Sequence, residues 1–144
     1  MSQRDPDIEV GETSDGLWIA ADTGRGRLSQ LSPTVVRIDV EGHGHEAFAR
    51  TMIERMDQII EQGGRLYVGI DAEGMHSYDR GFRYRWTEWI KAHAGQLDGL
   101  LLLFRSHVVQ TVAVIINAVI EGERMESCDE RETFEDRLAS ATRQ

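Results

Sequence analysis

The chain has 144 residues, 40% of them hydrophobic, with 25 acidic against 16 basic side chains and a formal charge of −9. That is one ordinary domain with enough apolar chain for a continuous core, and its negative mean field disfavours nucleic acid and anionic membranes as partners. A single cysteine, Cys128, excludes an internal disulfide, and neither a signal-peptide pattern nor an apolar run near the ~18–20 residues of a membrane helix is present, so a cytoplasmic location with no integral membrane segment is expected.

In chain order, Met1 to Asp7 is polar. Gly16 to Ala21 reads as an edge strand, and Thr23 to Pro33 as a mobile Gly/Arg/Ser loop. Residues 1–33 are therefore expected to form an N-terminal extension, and residues 34–144 a single α/β domain. Thr34 to Val40 alternates Val35, Arg37 and Asp39 with Val36, Ile38 and Val40, the period of a half-buried strand, which could pair with Gly16 to Ala21. Glu46 to Glu61 carries Phe48, Met52, Met56 and Ile59 at helical spacing, and Gly63-Gly64 stops it. Arg65 to Ile70 fits a central strand. After it, "DAEGMHSYDRGFRYRW" (Asp71 to Trp86) leads as a polar loop into a helix with Phe82, Trp86, Trp89 or Ile90, and His93 on one face.

Leu97 to Phe104, with "LLLLF", reads as a strand buried on both faces. His107 to Ile120 has strand-like composition, but its length and the closing Glu121-Gly122 predict a helix. Its apolar arc is wide enough to require either a central place in the core or a homodimer contact. Arg124 to Cys128 is a short strand, and Arg131 to Thr142 a final helix with Phe134 and Leu138 inward. This alternation predicts a mixed, largely parallel sheet of four to six strands with about four helices, joined by right-handed crossovers.

In such a sheet, ligands gather at the carboxyl ends of the strands. Asp71, Ser77, Tyr78, Asp79 and Arg80 follow one central strand, and Arg105 and Ser106 follow the next, so these residues are predicted to share one rim. Asp79 is placed to be the N-cap of the helix that follows it. Asp71 either pins the loop through backbone hydrogen bonds or binds a ligand. Arg105 with Ser106 makes either an anion site at a helix start or a cap plus an ion pair to Asp71 or Asp79. Trp86 and Trp89 fit a core at their helical spacing; the other reading is an apolar pocket wall. His43 and His45 lack a third ligand at a recognised spacing and read as an exposed approach to a helix, so neither a metal nor a cofactor is expected.

Three stretches also resemble a known family: "LYVGIDAEGMHSYDRGF", "LLLLFRSHVVQTVAVIINAVIEG" and "RMESCDERETFEDRLA". From Thr34 onward their order resembles the STAS domain, the anti-sigma-factor antagonist fold, and its divergent SpoIIAA-like branch, which is similar in architecture to Sec14-type lipid-binding domains. The resemblance implies a non-enzymatic regulatory domain with a protein partner. The Sec14-like architecture implies instead a small apolar or lipid ligand. An enzyme using Asp71, Tyr78 or Asp79 is a third reading, for which no nucleophile or metal set is evident. Carried over by position, Asp71 matches the aspartate ending the strand and Asp79 the aspartate opening the helix. The serine that is phosphorylated in family members is here Arg80, and Gly81 replaces the second serine. Ser77 lies two residues before Asp79 and does not match. An arginine reverses the charge that a phosphate would add, so the phosphorylation cycle does not carry over.

Overall fold

A computed structural model describes residues 8–104, 125–128 and 130–143. Its elements are β1 (Glu9–Thr13), β2 (Gly16–Ala21), β3 (Gly24–Ser32), β4 (Val35–Gly44), α1 (Glu46–Gly63), β5 (Leu66–Tyr78), α2 (Arg80–His93), β6 (Leu97–Leu103), β7 (Met125–Cys128) and α3 (Arg131–Thr142). One seven-stranded sheet runs in sequence order from β1 to β7. The strands from β1 to β4 are antiparallel neighbours, and those from β4 to β7 are parallel neighbours. Short turns suffice for the antiparallel meander, whereas parallel pairing requires the crossovers that α1 and α2 supply.

Side-chain alternation distributes two cores across the sheet. On one face, Val36, Ile38 and Val40 of β4 and Leu66, Val68 and Ala72 of β5 pack with Phe48, Met52 and Met56 of α1 and with Phe82, Trp86 and Ile90 of α2. On the other face, Val35, Leu101, Leu103 and Cys128 pack under Phe134 and Leu138 of α3. α1 stops where expected, because Gly64 takes a left-handed φ of 79° and returns its N–H to the carbonyl of Ile60.

Five expectations are corrected by this topology. Thr23 to Pro33 is largely strand, not loop: β3 lies between β2 and β4, so the two strands expected to pair do not meet, and β1 rather than β2 is the edge. Leu28 of β3 is fully buried, which is the apolar anchor hidden among its arginines and serines. β5 runs through to Tyr78, absorbing most of the expected loop, because β4 also extends to Gly44 and pairs with it. The strand count is seven rather than four to six, and three α-helices are described. The helix expected over His107 to Ile120 lies outside the described residues.

Candidate functional site

The ends of β4 and β5 lie side by side, with His43 opposite Ser77 and Gly44 opposite Tyr78. The register slips between Gly42 and His43, where Gly42 adopts a φ of 74°. A bulge with glycine in the left-handed region re-aims the side chain beside it. His43 accordingly lies between β5 and α2: its Nδ1 is 2.7 Å from Ser77 Oγ and its Nε2 2.7 Å from Asp79 Oδ1. A carboxylate can only accept, so in the neutral ring Nε2 carries the proton and the Ser77 hydroxyl donates to Nδ1. His45 Nε2 lies 2.8 Å from Thr23 Oγ1, and its ring stands edge-on to His43 with centroids 4.7 Å apart.

Asp79 occupies the N-cap position of α2 with extended backbone, yet its side chain does not cap that helix. Its Oδ2 accepts the N–H of Glu46 at 2.8 Å instead. Glu46 opens α1, whose own N-cap residue, His45, makes no side-chain cap bond. One aspartate thus satisfies an orphan donor of the neighbouring helix, which corrects the expected cap. Partial burial pushes the Asp79 carboxyl upward, but the bonds from His43 and the Glu46 amide outweigh it and hold the group below its ordinary value. For His45, burial and then the adjacent His43 lower the pKa against the opposing Asp79 charge. Serine, histidine and aspartate are connected here as in an acyl-transfer triad, but the ring is turned end for end, with serine on Nδ1 and aspartate on Nε2.

Asp71 does not join this cluster, contrary to the shared rim that was expected. It faces α3, where its Oδ2 accepts from Arg37 at 3.0 Å and from Arg131 at 2.8 Å. Its Oδ1 accepts the Glu73 backbone N–H at 3.2 Å, the local pinning bond that was one of its two expected roles. Arg37 also meets Asp39 and Glu135 and lies 5.3 Å over the Phe134 ring. Burial raises the pKa of Asp39, the Arg37 charge opposes that rise, and the Asp71 charge adds to it. For Arg131, hydrogen bonds to Asp71 and then Glu73 raise the pKa. Beside this network, a depression of about 720 Å³ is lined by Trp18, Arg25, Arg27, Arg37, Asp39 and Glu41, among others.

Around the start of α2 the remaining predicted residues separate by depth. Tyr78 is half-buried and packs toward Phe82, at 6.3 Å between rings. Trp86 and Trp89 are buried in the α1/α2 core, their rings edge-on at 6.2 Å, and Trp89 Nε1 donates to Asp57. Arg80 is exposed, and with Gly81, Arg83, Tyr84 and Thr87 it lines a shallow basin of about 440 Å³. Gly81 packs close to its neighbour: a Cβ there would sit 2.5 Å from the Glu46 carboxylate, which would have to shift from its place 2.6 Å from Arg85. Arg105 and Ser106 lie outside the described residues.

Sequence reading missed Arg37, Arg131, Thr23 and the convergence of His43 and His45 on Asp79. The His-Gly-His spacing was the available signal for the last, but its third partner lies 34 residues or more away in sequence.

Fold and topology together are those of a divergent SpoIIAA-like α/β fold. The chain is similar to an uncharacterized protein of the DUF3478 family with a SpoIIAA-like fold from Shewanella loihica PV-4, at 10% identity and a TM-score of 0.58, over 96% of this chain and 98% of that one. It is also similar to the anti-sigma factor antagonist SpoIIAA in its unphosphorylated form, at 18% identity and a TM-score of 0.55, over 80% of this chain and 96% of that one. No family model and no curated protein matches the chain.

Proposed function

We propose that this chain is a non-enzymatic regulatory or binding domain that recognises an acidic segment of a partner protein through the surface at the start of α2. The observation that carries the reading is a local charge imbalance. Arg25, Arg37, Arg55, Arg65, Arg85 and Arg131 each face a carboxylate. Arg80 and Arg83 meet none among the described residues, and Tyr84, which lines the same basin, is 63% exposed. Arginine and tyrosine are the residue types that anchor protein interfaces, and unpaired guanidiniums on a chain of net charge −9 favour a carboxylate-bearing partner. The same position follows the helix-opening aspartate in the STAS resemblance, and the similar fold of a protein named as an anti-sigma factor antagonist supports a regulatory class.

The test begins with a photoreactive residue at position 84 in source cells, identification of the captured protein, and its purification for titration. Arg80→Glu with Arg83→Glu is expected to weaken binding by tenfold or more, while Arg80→Lys retains most of it. Unchanged affinity in the double charge reversal would remove this surface from recognition.

A further inference from the structure

The His43, His45 and Asp79 cluster carries chemistry that partner recognition at Arg80 does not use. One ligand atom from each of the three lies within 4.8 Å of the others. We propose that these three side chains bind a single divalent transition-metal ion of the zinc class, clamping the ends of β4 and β5 to the starts of α1 and α2.

Two imidazoles and one carboxylate form a borderline N/O donor set, suited to zinc, cobalt or nickel rather than to magnesium or calcium, which take oxygen ligands. Three protein ligands with a fourth position left to water is a common zinc arrangement. The side chains of His43 and Asp79 are 28% and 42% exposed, so an ion has access. With metal–ligand bonds of 2.0–2.2 Å, tetrahedral ligands stand roughly 3.4 Å apart. Binding would draw the three atoms, now within 4.8 Å of one another, to that separation and open the 2.7 Å contact between His43 and Asp79 to admit the ion.

The outer contacts support the same role. Metal-binding imidazoles are oriented by a hydrogen bond at their other nitrogen, and metal-binding carboxylates are hydrogen-bonded in turn. Here Ser77 Oγ sits on His43 Nδ1, Thr23 Oγ1 on His45 Nε2, and the Glu46 amide on Asp79 Oδ2. The partner of each ring is a hydroxyl, which can donate or accept. When metal takes His43 Nε2, the ring proton moves to Nδ1 and Ser77 changes from donor to acceptor, so the neutral ring changes tautomer without losing its anchor. His45 leaves its Nδ1 as the ligand atom while Nε2 stays on Thr23.

The test is calorimetric titration of the tag-free full chain with Zn²⁺, alongside Mg²⁺ as the hard-ion control. One Zn²⁺ per chain is expected, with no heat from Mg²⁺. His45→Ala should weaken Zn²⁺ by tenfold or more. Ser77→Ala, at an exposed position, should weaken it by about tenfold through loss of the outer contact. If the His45 variant does not fold, side-chain NMR of the native chain decides: Zn²⁺ should shift the ring signals of His43 and His45 and leave those of His76 and His93 in place. Absence of stoichiometric Zn²⁺ binding, affinity unchanged in both variants, or shifts confined to other histidines would overturn the proposal. None of these outcomes depends on Arg80 or on a protein partner.

Discussion

Replacing Arg37 by Met is expected to destabilise the fold by about 3–5 kcal/mol at neutral pH, the usual cost of removing one partner from a buried ion pair. The side chains of Arg37 and Asp71 are 20% and 8% exposed, and Arg37 also holds Asp39 and Glu135. Methionine keeps the aliphatic packing against Phe134 but leaves the half-buried Asp39 without its cation and Asp71 and Glu135 with Arg131 alone. Asp71→Ala should cost less, because Arg37 retains Asp39 and Glu135 while Arg131 retains Glu73 and Glu135. The deficit of Arg37→Met also has a defined pH dependence. Asp39 already has a raised pKa, and losing Arg37 raises it further. A carboxyl whose folded pKa exceeds its unfolded value penalises the fold as pH climbs from the unfolded pKa through the folded one, and the penalty disappears below the unfolded pKa. Chemical denaturation of both proteins should show the gap between variant and native narrowing from pH 7 toward pH 4. A gap independent of pH would mean that packing, not charge, governs the site.

Asp79→Ala is expected to cost about 1–3 kcal/mol, combining the loss of an N-terminal helix partner with the loss of a charge-assisted bond to His43. The carboxylate is partly exposed, which keeps the value below that of the buried network. Because Oδ2 bonds Glu46 and does not cap α2, the damage should appear at the start of α1. Amide exchange at Glu46 is expected to accelerate in the variant, while amides within α2 change little. Asp79→Asn, which can still accept that N–H, should recover part of the loss. Faster exchange confined to the first turn of α2 would contradict this assignment.

These two residues also show how far sequence reading reaches. Helical spacing located α1, α2 and α3 because each buries one apolar stripe, and Phe82, Trp86, Trp89 and Ile90 are buried where period and residue type placed them. β3 was not legible: its core-facing side is carried by Gly26 and Leu28 between arginines, a pattern that composition assigns to a loop. The extension of β5 was hidden for a related reason. Ala72 and Met75 are buried in a stretch otherwise made of glycine and polar groups, and only pairing with β4 holds it extended. Asp71 and Asp79 looked like members of one rim because only seven residues separated them across an assumed loop. As a strand, that stretch places Asp71 on the α3 face and carries Asp79 away to the bulged end of β4. The histidine cluster depends on that bulge, and a register slip at Gly42 is a tertiary fact that no local pattern announces.

Amide exchange of the chain alone and in complex with its purified partner tests the central claim most directly. Recognition at the start of α2 predicts new protection over residues 79–87, with the β2 to β4 surface around Trp18 unaltered. Protection confined to the Trp18 depression, with residues 79–87 exchanging as in the free chain, would contradict the account and move the recognition surface to the opposite face of the sheet.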